Sequence, residues 1–123
     1  MPSANMDELM VQPLGESKDR EFIEWGDMYV WFERAPAGQD ASAMFKGLPN
    51  DSCQCPHFGY LFKGKLLVRY DDHEEVFTAG QAFYIKPGHR PLGLEDYELL
   101  EFTPKAQFAP TWEATKLNMA KAK

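Results

Sequence analysis

Apolar and polar side chains alternate in short runs through the middle of this chain, a period of two that marks strands rather than helices. The first run, Phe22 to Arg34 (FIEWGDMYVWFER), is dense in aromatic and β-branched residues. It reads as one or two strands with Gly26-Asp27 as a turn or bulge. Met28, Val30 and Phe32 fall on one face, and Tyr29, Trp31 and Glu33 on the other. Both faces are mostly apolar, which predicts cover on both sides, with a neighbouring subunit as one source of it. Asp40 or Ser42 is placed to cap a short turn of helix through Ala41, Met44, Phe45 and Lys46, stopped by Gly47 and Pro49. From His57 the strand pattern returns as HFGYLF, a turn at Lys63-Gly64, KLLVRY, a turn at Asp71-Asp72-His73, and EEVF. Ala79-Gly80 then turns into QAFYI, Lys86-Pro87-Gly88 makes a corner, and ELLEF (98–102) is ended by Pro104. These are expected to be consecutive antiparallel strands. The tail, helical over about 110–121 from a start at Pro110-Thr111, carries Trp112, Leu117 and Met119 as its apolar side.

Short strands at this spacing predict an all-β domain, a sandwich or barrel over about 22–104, with the helix packed outside. Residues 1–20 are polar, with turn formers at Pro2, Pro13 and Gly15, and read as an arm before a single domain over 21–123. The arm is expected to be loosely ordered unless it pairs with another subunit. An aromatic content of 14% suits a sheet-rich core, and 123 residues can bury one without disulfides or structural metal.

A net charge of −6 with dispersed acidic residues argues against a nucleic-acid partner. No apolar run approaches the roughly 20 residues of a membrane span, and the N-terminus lacks signal-peptide features. A cytoplasmic location with reduced thiols is the expectation.

The stretch Cys53–Pro91 holds both cysteines and all three histidines, and it resembles the cupin superfamily. Cupins carry a first motif G-x5-H-x-H-x3–4-E-x6-G and a second, G-x5-P-x-G-x2-H-x3-N. Here Gly64 matches the closing glycine of the first, Gly80 opens the second and Gly88 is its internal glycine. YLFKGKLLVRY looks like the family's strand-turn-strand, and AGQAFYIKPG like the strand running into its corner. The likeness covers residues 47–103, and the CPHFGY run is similar to a subgroup of small single-domain bacterial cupins with a CPHxGY signature. Counting back from Gly64 puts His57 in the glutamate seat, with Cys53 and Asp51 in the two histidine seats. Counting forward from Gly47 puts Cys53 and Cys55 there. The second motif's proline is Lys86, its histidine seat is Pro91 with His89 two residues early, and its asparagine is Glu95. The family's three-histidine-one-glutamate site is therefore absent as such, and a metal site would be rebuilt from other ligands.

On one strand Cys53, Cys55 and His57 share a face, although Pro56 interrupts ideal extension. With His89 brought in by the corner, two thiolates and two imidazoles make a set for a divalent metal: zinc, or with fewer ligands iron or copper. The plain alternative is that the cysteines are small buried hydrophobes and His57 a hydrogen-bonded wall. His89 is equally read as a ligand or base and as a rim side chain, whereas His73 reads as solvated. The ligand pocket is expected inside the barrel, lined by Cys55, His57, Gly59, Tyr84 and His89. Tyr60 is a second hydroxyl donor, and Gly59 leaves room for a ligand. Lys86 and Arg90 flank the corner and read either as receiving a carboxylate or, more often for surface residues, as having no specific role.

Three functions stay open: a small-molecule-binding or sensing cupin, with or without a divalent metal on Cys/His ligands, a metal-dependent enzyme (dioxygenase or isomerase/lyase on a small acid or sugar), and a dimerisation module. The resemblance also implies a homodimer formed through the N-terminal strand.

Overall fold

The computed structural model describes residues 10–11, 23–38 and 44–121, with side chains over 23–38 and 44–118. The arm outside Met10–Val11, Phe22, and the caps at Asp40, Ala41 and Ser42 lie outside the described residues, as does the Met119 side chain. Among the described residues nine strands and a helix follow in order. They are β1 (Met10–Val11), β2 (Ile23–Trp25), β3 (Met28–Ala35), β4 (His57–Lys63), β5 (Lys65–Arg69), β6 (Glu74–Thr78), β7 (Ala82–Ile85), β8 (Arg90–Gly93), β9 (Tyr97–Pro104) and α1 (Lys105–Lys121).

The strands form two sheets. The larger has six strands in the order β1-β3-β9-β4-β7 with β2 also on β3, and the smaller has three in the order β6-β5-β8. All pairings are antiparallel except β1 with β3, which is parallel and sets Met10 beside Phe32. Inward side chains of both sheets, Leu61, Phe83, Ile85 and Leu99 with Leu66 and Val68, make the main core. A second cluster, Trp31, Phe45, Cys53, Cys55 and Phe108, closes one end. The fold is the expected antiparallel jelly roll with a C-terminal helix.

Several expectations are corrected. β4 and β5 are not a hairpin: β4 pairs with β7 and β9, while β5 pairs with β6 and β8. Gly64, at φ +89°, carries the chain from one sheet into the other, where a Cβ would strike the Asp96 carbonyl. RPLG forms a strand, β8, that period counting passes over because of Pro91. At the sheet edge a residue without an N–H is tolerated. Met44–Phe45 is 3-10 helix that runs into a turn at Lys46–Gly47, the described end of the short helical turn expected there, and a second 3-10 turn follows at Pro49–Asp51.

The helix differs most. It begins at Lys105, with Pro110 inside it, and buries Phe108, Thr111 and Thr115, with Trp112 half-buried beside them. That i, i+3, i+4, i+7 stripe packs onto the open end of the sheets. Leu117, expected on the apolar side, is 57% exposed. Sealing that end offsets the proline's missing hydrogen bond.

Candidate metal centre and hollow

The approach to β4 is built tightly. Asn50 and Asp51 both have left-handed backbones, at φ 55° and 49°, a conformation that needs external support. Asp51 Oδ1 accepts from the Gly47 amide at 3.0 Å, and Arg90 donates to the Asn50 carbonyl at 3.2 Å. Arg90 also meets Asp71 at 3.4 Å, so it braces the loop and does not line the hollow. Cys53 then bridges to His89, its N–H donating to the His89 carbonyl at 3.0 Å and its own carbonyl accepting from Gly88 at 2.7 Å. Pro56 delays the strand until His57, so Cys53 and Cys55 approach from an irregular turn.

The three side chains converge. Cys53 Sγ lies 3.2 Å from Cys55 Sγ and 3.5 Å from His57 Nε2, and Cys55 Sγ lies 3.6 Å from the same nitrogen. Their exposures are 1%, 0% and 6%. Both histidine rings are held by their other nitrogen. His57 Nδ1 contacts Thr103 Oγ1 at 2.7 Å, with Glu101 Oε2 at 3.7 Å. His89 Nδ1 donates to the Lys86 carbonyl at 2.6 Å. The His89 ring packs edge-on to His57 at 4.9 Å.

Such outer contacts fix ring orientation and leave His57 Nε2 facing both sulfurs. Among the described residues Cys53, Cys55 and His57 are the group of three or more His, Cys, Asp or Glu able to hold a metal ion, with His89 beside it and not in it. Its donors are thiolate and imidazole at spacings that a bound ion would have to widen only slightly, so the chemistry fits zinc or another borderline-soft ion.

Electrostatics favours the same use. Burial opposes ionisation of Cys53, but the Cys55 thiol and the His57 ring together hold it well below the ordinary thiol range. Cys55 is driven the other way, first by its hydrogen bond to Cys53 and then by burial. The pair thus holds one proton, on Cys55. Burial would lower His57, yet Glu101 and the Cys53 sulfur outweigh it and push the imidazole up to about 9.

A hollow of about 70 Å³ adjoins the cluster. Cys53, His57 and His89 line it, with Pro91 in the cupin histidine seat, while Cys55 sits behind them. Glu33, Tyr97 and Glu101 line the wall toward β3 and β9, and Phe108, Thr111 and Trp112 of α1 close over it.

Three expected ligand residues lie elsewhere. Gly59 is not on the hollow, and its missing side chain admits the Phe83 ring rather than a ligand: a Cβ there would meet Phe83 Cζ at 2.6 Å and the Leu100 carbonyl closer still. Tyr60 and Tyr84 point outward, 39% and 48% exposed. There Tyr84 stacks on Phe58 at 4.9 Å, and Tyr60 meets Phe62 at 5.2 Å. Alternation along β4 explains this, since even-numbered residues face away from His57. His73 sits in its turn against Asp72 and Tyr70, and Lys86 is exposed.

Sequence reasoning passed over Glu33, Tyr97, Glu101, Thr103 and Thr111. The signal was present: in YELLEFTP, Tyr97, Leu99, Glu101 and Thr103 share one face, so a charge sits among core residues.

No protein-family model matches the sequence, and no curated protein matches it. Solved structures do. The chain is 18% identical to an uncharacterized conserved protein with a double-stranded β-helix domain from Klebsiella pneumoniae, covering 85% of this chain and 90% of that one at a TM-score of 0.60. An RmlC-like cupin protein from Desulfovibrio desulfuricans is 14% identical over 69% of this chain and 79% of its own, with a TM-score of 0.50. A putative ethanolamine utilization protein Q from Salmonella typhimurium is 15% identical at a TM-score of 0.50. It matches 66% of this chain, which spans 60% of that protein. No described helix is long and apolar enough to cross a membrane.

Proposed function

Because the chain has the cupin fold, we propose that it is a metal-binding, small-molecule-binding cupin, holding a divalent ion on Cys53, Cys55 and His57 with His89 as the fourth donor. The observation that carries this is the convergence of two buried sulfurs and an imidazole nitrogen within 3.2–3.6 Å, the ring fixed from behind by Thr103. A bound zinc would supply Lewis acidity at the wall of the hollow. The chain's own residues orient the donors, exclude water and present Glu101 beside the His57 ring. If His89 does not ligate, the fourth position faces the hollow and the enzymatic alternative, a dioxygenase or an isomerase/lyase, gains ground.

Elemental analysis of protein purified without chelator tests the reading. About one equivalent of zinc or iron is expected, and His57→Ala should lose it while unfolding cooperatively. Less than about a tenth of an equivalent, with no gain on reconstitution, contradicts it.

A homodimer is the proposed assembly. It is supported by the exposed outer aromatics Phe58, Tyr60, Phe62 and Tyr84, a contiguous apolar face on the sheet that also carries β1.

A further inference from the structure

The hollow has an uneven wall. β3 and β9 are neighbours, with Glu33 opposite Leu99 and Trp31 opposite Glu101, so the two glutamates are diagonal on the inner face. Glu33 is 7% exposed and Glu101 8%. The Tyr97 hydroxyl donates to Glu33 Oε2 at 3.4 Å from the same wall. Around them stand apolar side chains, Leu66, Ile85 and Leu99; no lysine or arginine lines the hollow among the described residues, and the basic group on its wall, the His57 ring, is already faced by Glu101 at 3.7 Å. Lys86 and Arg90, the cations near the corner, are outside it.

We infer that the hollow accepts a small molecule bearing a primary ammonium, with a hydroxyl as the weaker substitute, and rejects carboxylates and phosphates. This rests on the reading of the hollow as a ligand site. A volume of about 70 Å³ has room for roughly four to six non-hydrogen atoms. An ammonium entering it exchanges water for charge-assisted hydrogen bonds to Glu33 and Glu101. An anion entering it loses its water and meets two carboxylates, a repulsive element that discriminates more sharply than any single attractive contact. The apolar remainder of the wall takes a short methylene chain.

The test is a titration of the full chain, zinc-loaded and zinc-free, with 3-aminopropan-1-ol, propane-1,3-diol and 3-hydroxypropanoate, read by amide chemical shifts. These probes have the same short chain and differ in charge. The amine should bind tightest and at least tenfold tighter than the acid, with the diol between. Glu33→Gln and Glu101→Gln, which keep shape and remove charge, should each weaken the amine about tenfold and narrow its lead over the acid. An acid that binds as well as the amine overturns the inference, as does a series in which none binds. The same follows if the wild-type ranking survives both substitutions; should either variant fail to fold, the wild-type ranking still decides. Metal content measured on the same samples separates this claim from the metal site: an amine preference without bound metal breaks only the latter.

Discussion

The two faces of β4 invert the usual arrangement of a half-buried strand. Inward, His57 is 6% exposed and belongs to a polar cluster with the two cysteines, Thr103 and Glu101. Outward, Phe58 and Phe62 are each 43% exposed, and Phe32 stacks on Phe62 from β3 at 6.3 Å. Buried polar groups persist only where partners satisfy them, and exposed aromatic faces of this breadth mark surfaces that something covers. On the proposed reading the inner face takes a ligand and the outer face a second copy of the chain.

The largest effect expected from breaking this contrast is at the inner face. Gly59→Val puts a branched side chain where a Cβ already meets the Phe83 ring and the Leu100 carbonyl, so it should destabilise by about 3 kcal/mol, lowering the melting temperature by about 10 °C in calorimetry. A ligand-space role for Gly59 would instead leave stability unchanged and alter binding. Next comes pH. Zinc takes the deprotonated donors, so uptake must displace the protons on Cys55 and on His57, whose imidazole is pushed up to about 9. Affinity should climb by about two decades per pH unit below 9 and about one above it. Calorimetry in buffers of different ionisation enthalpy should count about two protons released near neutral pH; release of none would mean that neither Cys55 nor His57 ligates.

Thr103→Val should weaken metal binding about tenfold while sparing the fold, since it removes only the hydrogen bond that orients His57. Competition against a chromophoric chelator checks it. The smallest intramolecular effect lies outside. Tyr84→Ser should change monomer stability by less than about 1 kcal/mol, because its ring stacks on Phe58 at the surface. If the outer face joins two copies, the same change should loosen the dimer in sedimentation analysis.

Much of the strand framework was legible because period-two alternation and turn glycines are local properties, as in HFGYLFKGKLLVRY. The crossing at Gly64 was not, since a hairpin and a passage between sheets use the same turn residues. β8 was hidden by Pro91, and the helix start by Pro110; in both cases tertiary burial outweighs a local penalty. The cysteine–histidine group was legible as residue types two apart, but the convergence of its donors depends on the irregular turn before Pro56. Sequence places Gly59 on the hollow by its two-residue spacing from His57, and Tyr60 and Tyr84 there as inward hydroxyls. Pleating sends the tyrosines outward, and Phe83 fills the space beside the glycine. Glu33 and Glu101 were readable by the same alternation, as charges on otherwise apolar faces.

Zinc-edge X-ray absorption of the reconstituted protein tests the central claim most directly. The account predicts two sulfur scatterers at about 2.3 Å with nitrogen at about 2.0 Å, and one sulfur fewer in Cys53→Ser. A first shell of nitrogen and oxygen alone, unchanged by that substitution, would contradict it.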